Sequence, residues 1–484
     1  MSRFKQLFGE TIIYGVSSVL TRFLNLLLLP LYTNILSPNE YGVLNILNTT
    51  FSILWLVSVL ALDSASFVFF HDFDNENKRK KIFSSWFWIQ AFIGVVLCIM
   101  VFSFSDGLSR LFFEEAAYKT EFRLISLLLL FNLLPNIVWN WLRVKRKVKT
   151  TALFTVLQSA IIVGCNVWFI LGLKLGVKGF FYAQLISGVI MSVAALVMLK
   201  DWIFLKYFDK ELLKQMLLFS LPLVPTAIAS WGLNSTGGYF IQARLGATEV
   251  GLYQTGVTLS GILAFVTTSF TQAWGPFAMS IKDQSDARQF YARIYIIYIS
   301  LIGLLASGLL IFSSDILFLA TSPEYAAADW VAGLLSFNAM LIGLNYIASI
   351  GLNIVKDMRP FALASIVGAG INIVLFYFGT LFWGKEGCAV ASLISNTGIL
   401  FFIFRAAQRK FPIPFEFMKG VILFALCLGL GVAVKYILDV ELYHGYFLKV
   451  SGFLFLLLLL VIINRNEFAL IHNMVMGFKK NRKV

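Results

Sequence analysis

Charge is scarce in this chain. Charged residues fill 13% of its 484 positions, about half the ~25% of a water-soluble domain. So little charge cannot cover a globular surface, and the soluble classes are excluded. Histidine occurs three times, at His71, His444 and His472, too far apart for a zinc or haem spacing. The four cysteines, Cys98, Cys165, Cys388 and Cys427, each lie inside an apolar run with no short spacing between them. A disulfide framework or metal site is therefore not expected; packed thiols are. Long polar loops are missing too. The longest on the outer side, about 105–121 and 313–328, have no room for a catalytic domain. There is no nucleophile elbow, P-loop or dinucleotide fingerprint in a workable context. Neither an enzyme nor a cofactor is expected.

What the chain has is apolar length. Hydrophobic residues make up 59% of it, in runs long enough to cross a hydrocarbon core of ~30 Å. The pattern predicts an all-α polytopic membrane protein with fourteen spans. These run approximately 11–33, 43–68, 83–104, 122–142, 151–172, 177–199, 214–240, 250–272, 291–312, 329–351, 360–382, 386–405, 415–436 and 446–463. The first charged stretch, Arg3 to Glu10, leads straight into a full-length span, so no cleavable signal peptide is expected. With the N-terminus placed inside, inner segments hold 29 of the 39 lysines and arginines. That asymmetry is the positive-inside pattern and predicts that both termini are cytoplasmic. It also accounts for the net charge of +14 with headgroup anchors and not with nucleic acid.

The chain is also written twice. Leu36-Ser-Pro-Asn-Glu40-Tyr-Gly42 recurs 209 positions on as Leu245-Gly-Ala-Thr-Glu249-Val-Gly251. Gly179-x3-Ala183-x-Leu185-Ile186-Ser187 recurs 208 positions on as Gly387-x3-Ala391-x-Leu393-Ile394-Ser395. Six spans per copy is an even number, which makes the copies parallel repeats, the arrangement of a transporter with its site between them. The expected organisation is 1–208 and 209–412 as two six-helix lobes. Residues 413–484 then add two helices and a basic tail.

Candidate site residues are polar groups inside spans. Arg22 lies about 16 Å into the first span at 1.5 Å per residue; a cation there should face a wet cavity or an anion. Asn25 and Pro30 follow it. The seventh span carries Pro222, Pro225, Gly232, Gly237 and Gly238, which predict bending or unwinding beside a cavity or packed protein. It also carries Asn234, Tyr239, Gln242 and Arg244, the last either receiving an anionic headgroup or anchoring the helix. Asp63 is the only carboxylate clearly within a predicted span, and is either a structural partner of Arg22 or an ion-coupling group. Amides are scattered through the spans, among them Asn48, Asn132, Asn136, Gln158, Gln254, Asn338, Asn345 and Asn396. Each alone reads as helix-to-helix glue; as a set they suit a hydrated, sugar-binding cavity. Asn136 and Asn345 are repeat equivalents. Trp139, Trp274 and Trp383 read as interfacial.

A Thr-Arg pair in the middle of the first span, then Pro30-Leu-Tyr-x-x-Ile-Leu-Ser-Pro-Asn-Glu40-Tyr-Gly42, resembles the opening of polysaccharide transporters of the Wzx (O-antigen flippase) type. Leu245-x-x-x-Glu249-Val-Gly251-x-Tyr253 resembles their second-half counterpart. That superfamily also holds multidrug extruders and the lipid II flippase. The resemblance implies alternating-access movement of an undecaprenyl-diphosphate-linked oligosaccharide across the bacterial plasma (inner) membrane. Expected partners are membrane lipids and, in the same pathway, a glycan polymerase and chain-length regulator. It points to Arg22 as the cavity cation. Two other readings stay open: a cation-coupled multidrug extruder of the same fold, and a membrane-embedded glycan polymerase or ligase.

Overall fold

The computed structural model describes residues 28–73, 75–114, 116–440 and 445–465. Arg22, Asn25 and nearly all of the first expected span lie outside them. The described chain is helical, without strands, and twelve of its helical segments are long and apolar enough to span a membrane. One of these, Arg359–Lys410, is two helices merged across a kink at Trp383 and Gly384. Thirteen of the fourteen expected spans are thus accounted for among the described residues.

The chain divides into two compact units, one ending at Gly251 and the other beginning at Leu252. In the first unit the helices are α1 (Pro38–Val59), α2 (Leu62–Asp72), α3 (Glu76–Ser103), α4 (Ser105–Phe113), α5 (Lys119–Phe131), α6 (Leu133–Val144), α7 (Val148–Asn166), α8 (Gly176–Leu199), α9 (Lys210–Ser220), α10 (Val224–Ser235) and α11 (Gly237–Leu245). α12 (Ala247–Ser280) contains the boundary. The second unit continues with α13 (Ala287–Ala320), α14 (Asp329–Ala348), α15 (Ile350–Ile354), α16 (Arg359–Lys410), α17 (Phe417–Val440) and α18 (Gly445–Ile463).

The repeated motifs turn out to be helix starts and tight crossings. Ser37 caps α1: its Oγ accepts from the Glu40 backbone at 3.3 Å, while the Glu40 carboxylate accepts from the Ser37 N–H at 3.0 Å. This is a capping box with Pro38 at the first helical position. The second copy starts α12 at the same offset, with Gly246 at φ 84° in place of the serine. The two starts touch. A Cβ on Gly42 would lie 1.7 Å from the Ala247 carbonyl oxygen, and one on Gly251 would lie 1.9 Å from that of Pro38. Residues 42 and 251 are repeat mates, as are 38 and 247, so this backbone crossing is its own image. The other motif pair closes helical hairpins. Gly176 and Gly384, 208 apart, take φ 56° and 60° in the two turns. Just beyond, Gly179 packs on Phe169 and Ile170, and Gly387 packs on the Gly379 backbone.

The seventh span begins the second copy in sequence yet packs on the first. It is broken into α9, a 3-10 turn at Leu221–Leu223, α10 and α11, as its prolines and glycines predict. Trp231 Nε1 donates to Ser52 Oγ at 2.8 Å, the Tyr239 hydroxyl meets Thr50 Oγ1 at 2.9 Å, and Gln242 Nε2 donates to the Phe112 carbonyl at 3.0 Å. At its start Asp209 takes Lys81 at 2.8 Å and caps α9 through Leu212 N–H at 3.1 Å. The line between sequence copies and the line between compact units therefore fall at different places.

In the second unit α13 is the central helix, with α14, α17 and α18 around it in one core that includes Tyr291, Phe337 and Met340. The two C-terminal helices, which have no repeat mate, attach through small and polar residues. Ser307 Oγ donates to the Cys427 carbonyl at 2.8 Å, and Asn464 Nδ2 donates to Ser300 Oγ at 3.0 Å. At one end of the unit two ion pairs close the contact: Lys435 with Asp329 and Lys449 with Asp315, both at 2.6 Å. α13 runs to Ala320, past the expected end at 312, and Asp315 in this extension is the residue that pairs with Lys449.

Candidate functional site

Span two is broken inside the membrane-length segment. Leu60 and Ala61 both adopt left-handed backbone, at φ 52° and 54°, a conformation that costs a residue with a Cβ about 1–2 kcal/mol. The break ends α1 and starts α2, and it borders a largely apolar recess with a few polar groups in its wall. Ser52, Trp55, Ala61, Asp63 and Ser64 line one side of a cavity of 580 Å³; Asn136 and α10 residues from Val224 to Ser230 line the rest. A second cavity, of 410 Å³, shares Trp55 and Asn136 and adds Phe51, Asn132, Trp139, Thr155 and Gln158.

Helical spacing assembles this surface. Asn132, Asn136 and Trp139 stand at i, i+4 and i+7, one face across the α5–α6 junction. Phe51 and Trp55 stand at i and i+4 and stack with ring centroids 6.1 Å apart. Thr155 and Gln158 face them from α7. The cavity therefore offers indole faces and carboxamides together, which suits pyranose rings: their C–H faces lie on aromatic planes while their hydroxyls exchange hydrogen bonds with amides. Asn132 Nδ2 is used by the Leu128 carbonyl at 3.0 Å. Asn136 Nδ2 is shielded from solvent and has no hydrogen-bond partner among the described residues, a state that costs about 1–3 kcal/mol. Among the described residues lining the two cavities, Asp63 is the one charged side chain. A cation stands just beside them, where the Arg143 guanidinium covers the Trp139 ring at 4.3 Å.

A separate polar cavity of 540 Å³ lies at the opposite end of the same unit. It is lined by Asn39, Glu114, Tyr118, Gln242, Arg244 and the start of α12.

The candidates named from sequence scatter across these places. Asp63 lines the first cavity. Tyr239 is committed to Thr50 and stacks on Phe112 at 5.5 Å, while Gln242 and Arg244 line the far-end cavity. Asn48 is half-buried on α1, and Asn234 is exposed and bonds back to the Ser230 carbonyl at 2.7 Å. Gln254 and Asn345 belong to the second unit, where Asn345 is buried. Asn132, Asn136 and Gln158, expected among the amides of a hydrated cavity, do line one; Trp139, expected at an interface, and Trp55, not expected, line it with them, and the i, i+4, i+7 spacing of Asn132, Asn136 and Trp139 is the sequence signal for their common face. Amides in the second unit do act as glue: Asn396 Nδ2 donates to Asn338 Oδ1 at 2.8 Å, and Ser395 Oγ donates to Asn372 Oδ1 at 2.9 Å.

This is an all-α, many-span fold shared with solved transporters of the MOP superfamily. The lipid II flippase MurJ in an inward closed conformation matches with a TM-score of 0.72 at 15% identity, over 95% of this chain and 99% of that one. An inward-facing multidrug resistance MATE family transporter matches at 0.61 and 18%, over 83% and 95%. A MOP superfamily transporter from Pyrococcus furiosus matches at 0.53 and 16%, over 85% and 94%. These likenesses carry the fold. Among curated proteins no match is found. The chain belongs to the polysaccharide biosynthesis protein family, whose sequence profile matches residues 32–317.

Proposed function

We propose that the protein is a flippase that carries an undecaprenyl-diphosphate-linked oligosaccharide across the bacterial inner membrane, from the cytoplasmic to the outer leaflet, for surface polysaccharide assembly. The observation that carries this reading is the aromatic–amide cavity of the first unit. It combines Trp55, Trp139, Asn132, Asn136 and Gln158 in a member of a polysaccharide biosynthesis family. A sugar chain needs many hydrogen bonds and flat apolar faces; a hydrophobic drug cation needs carboxylates. The lipid tail stays in the bilayer while the polar head crosses through the cavity. In this reading the lysine-rich end of the first unit is cytoplasmic, and an inside-negative potential favours outward movement of the anion by ~2.3 kcal/mol per charge per 100 mV.

The test uses protein reconstituted in vesicles with a fluorescent short-chain lipid-linked oligosaccharide, scored by lectin access from the opposite side. Protein-dependent movement that Trp139→Ala and Asn136→Ala both slow supports the reading. The second reading is a cation-coupled extruder, for which Asp63 in the cavity wall is the specific observation. Gradient-driven export of cationic dyes, abolished by Asp63→Asn and without glycan movement, would replace the flippase by it.

A further inference from the structure

The end of the first unit beside Trp139 concentrates cations in an unusual way. The α3 sequence begins Glu76-Asn-Lys78-Arg79-Lys80-Lys81, which puts cations at the positive end of the helix dipole, where each is disfavoured by about 0.3–1 kcal/mol. The turn between α6 and α7 supplies Lys145, Arg146 and Lys147, with Arg146 at φ 54°. These two groups meet on an aromatic platform. The Lys145 ammonium stands 3.9 Å from the Trp202 ring centre and 4.5 Å from that of Trp141. Lys147 shares Trp141 at 5.3 Å, and Lys80 shares Trp202 at 5.9 Å and adds Tyr207 at 5.7 Å. Arg79 lies over Phe70 at 4.4 Å.

Arg79 Nε donates to the Phe70 carbonyl at 3.2 Å, and for the lysines compensation by acids is thin among the described residues. Lys80 has Glu76 at 3.6 Å, and Asp209 is taken by Lys81. Lys145 and Lys147 form no ion pair among the described residues. Burial, with repulsion from Lys147, Lys80 and Arg79, holds the Lys145 ammonium below the usual lysine range, against the opposing pull of Glu76. A lysine that only marks membrane sidedness extends into water among headgroups. It does not need two indoles to fix it half-buried beside three like charges. Indole faces attract a cation without supplying a hydrogen-bond acceptor, and a multivalent oxyanion supplies that acceptor.

We propose that Arg79, Lys80, Lys145 and Lys147, set on Trp141 and Trp202, form a binding site for a phosphate-bearing lipid headgroup at the end of α6, the helix whose other face lines the aromatic–amide cavity. The cavity uses the other face of the same helix: Trp139 carries Arg143, and Trp141, two residues on and in the core, carries Lys145. The identity of the ligand rests on the flippase reading; the phosphate chemistry does not.

The experiment is calorimetric titration of the full-length protein, in a neutral detergent, with farnesyl diphosphate. Binding by the wild type is expected, weakened about tenfold, or ~1.4 kcal/mol, in Lys145→Gln/Lys147→Gln and to a lesser extent in the exposed Lys147→Gln alone. Lys145→Arg keeps binding. Thermal unfolding checks that each variant is folded, and Lys147→Gln stands by itself if the double variant is not. Absence of binding by the wild type, or unchanged affinity in both folded variants, overturns the site. Adding phosphatidylglycerol separates the sources: equal competition supports an ordinary membrane phosphate as occupant, and its failure to compete supports a diphosphate. Intact binding with no glycan movement in vesicles would sink the flippase reading and leave this site standing.

Discussion

Trp139 concentrates two jobs in one side chain. Its ring lines the aromatic–amide cavity and also carries the Arg143 guanidinium at 4.3 Å. Replacing it by alanine removes a stacking plane worth about 0.5–1.5 kcal/mol and also releases the arginine. The expected outcome is about a tenfold fall in glycan movement at low substrate, with Trp139→Phe recovering most of it. A loss that phenylalanine does not recover would point to packing instead. Asp209 makes a different residue-scale prediction. The hydrogen bond from Lys81 and those from the α9 backbone hold its carboxyl below the ordinary aspartate range. A depressed folded-state pKa gives stability that is present above the unfolded pKa and lost as pH falls through the folded one. Asp209→Asn keeps an acceptor for the α9 cap and loses that pH dependence, so thermal unfolding on the acid side should follow a flatter curve than wild type. At this scale the sequence was only partly legible. Asn132, Asn136 and Trp139 were visible as polar or aromatic residues in one span. Their common face was not used, because nothing in one helix says what the next one turns towards it.

The elements show why some breaks could be read and others could not. Span seven announces its interruptions with Pro222, Pro225 and paired glycines, since proline removes a backbone donor and glycine relaxes the backbone. Span two gives no such warning. Leu60 and Ala61 are strong helix formers, yet both are left-handed, held there by the packing of α2 on α3 and α9. Tertiary contacts overrode local preference, and only the fold reveals it. The strain is testable. Ala61→Gly removes only a Cβ from a conformation glycine accepts freely, so the φ strain relieved, ~1 kcal/mol, should raise the unfolding temperature. Glycine in an ordinary helical position does the reverse, and Leu60→Gly would also lose a side chain packed on the core. If Ala61→Gly melts earlier than wild type, the left-handed pair is not a strained break, and the cavity it borders needs another cause.

For the whole molecule, the duplication was legible as a pattern, but its physical content was not. Letters 209 apart do not disclose that the two motifs touch one another. The reason for both glycines is the crossing of α1 and α12, where any Cβ would overlap a carbonyl of the opposite helix. Gly42→Ala and Gly251→Ala should therefore be similarly damaging, each at ~3 kcal/mol or more, because helix backbones must separate to admit a methyl group. Their combination should be clearly less than additive. Once the first methyl has pushed the helices apart, the second enters space already opened, and neighbours that share one contact couple in this way. The comparison has an internal control in Gly164→Ala, a helical glycine with open space around its Cβ position, which should be neutral or stabilising by up to ~1 kcal/mol. Thermal unfolding of the four variants and wild type completes the cycle. Additive costs would mean that the two glycines serve separate contacts, and the two copies would then share a sequence pattern without sharing one symmetric joint.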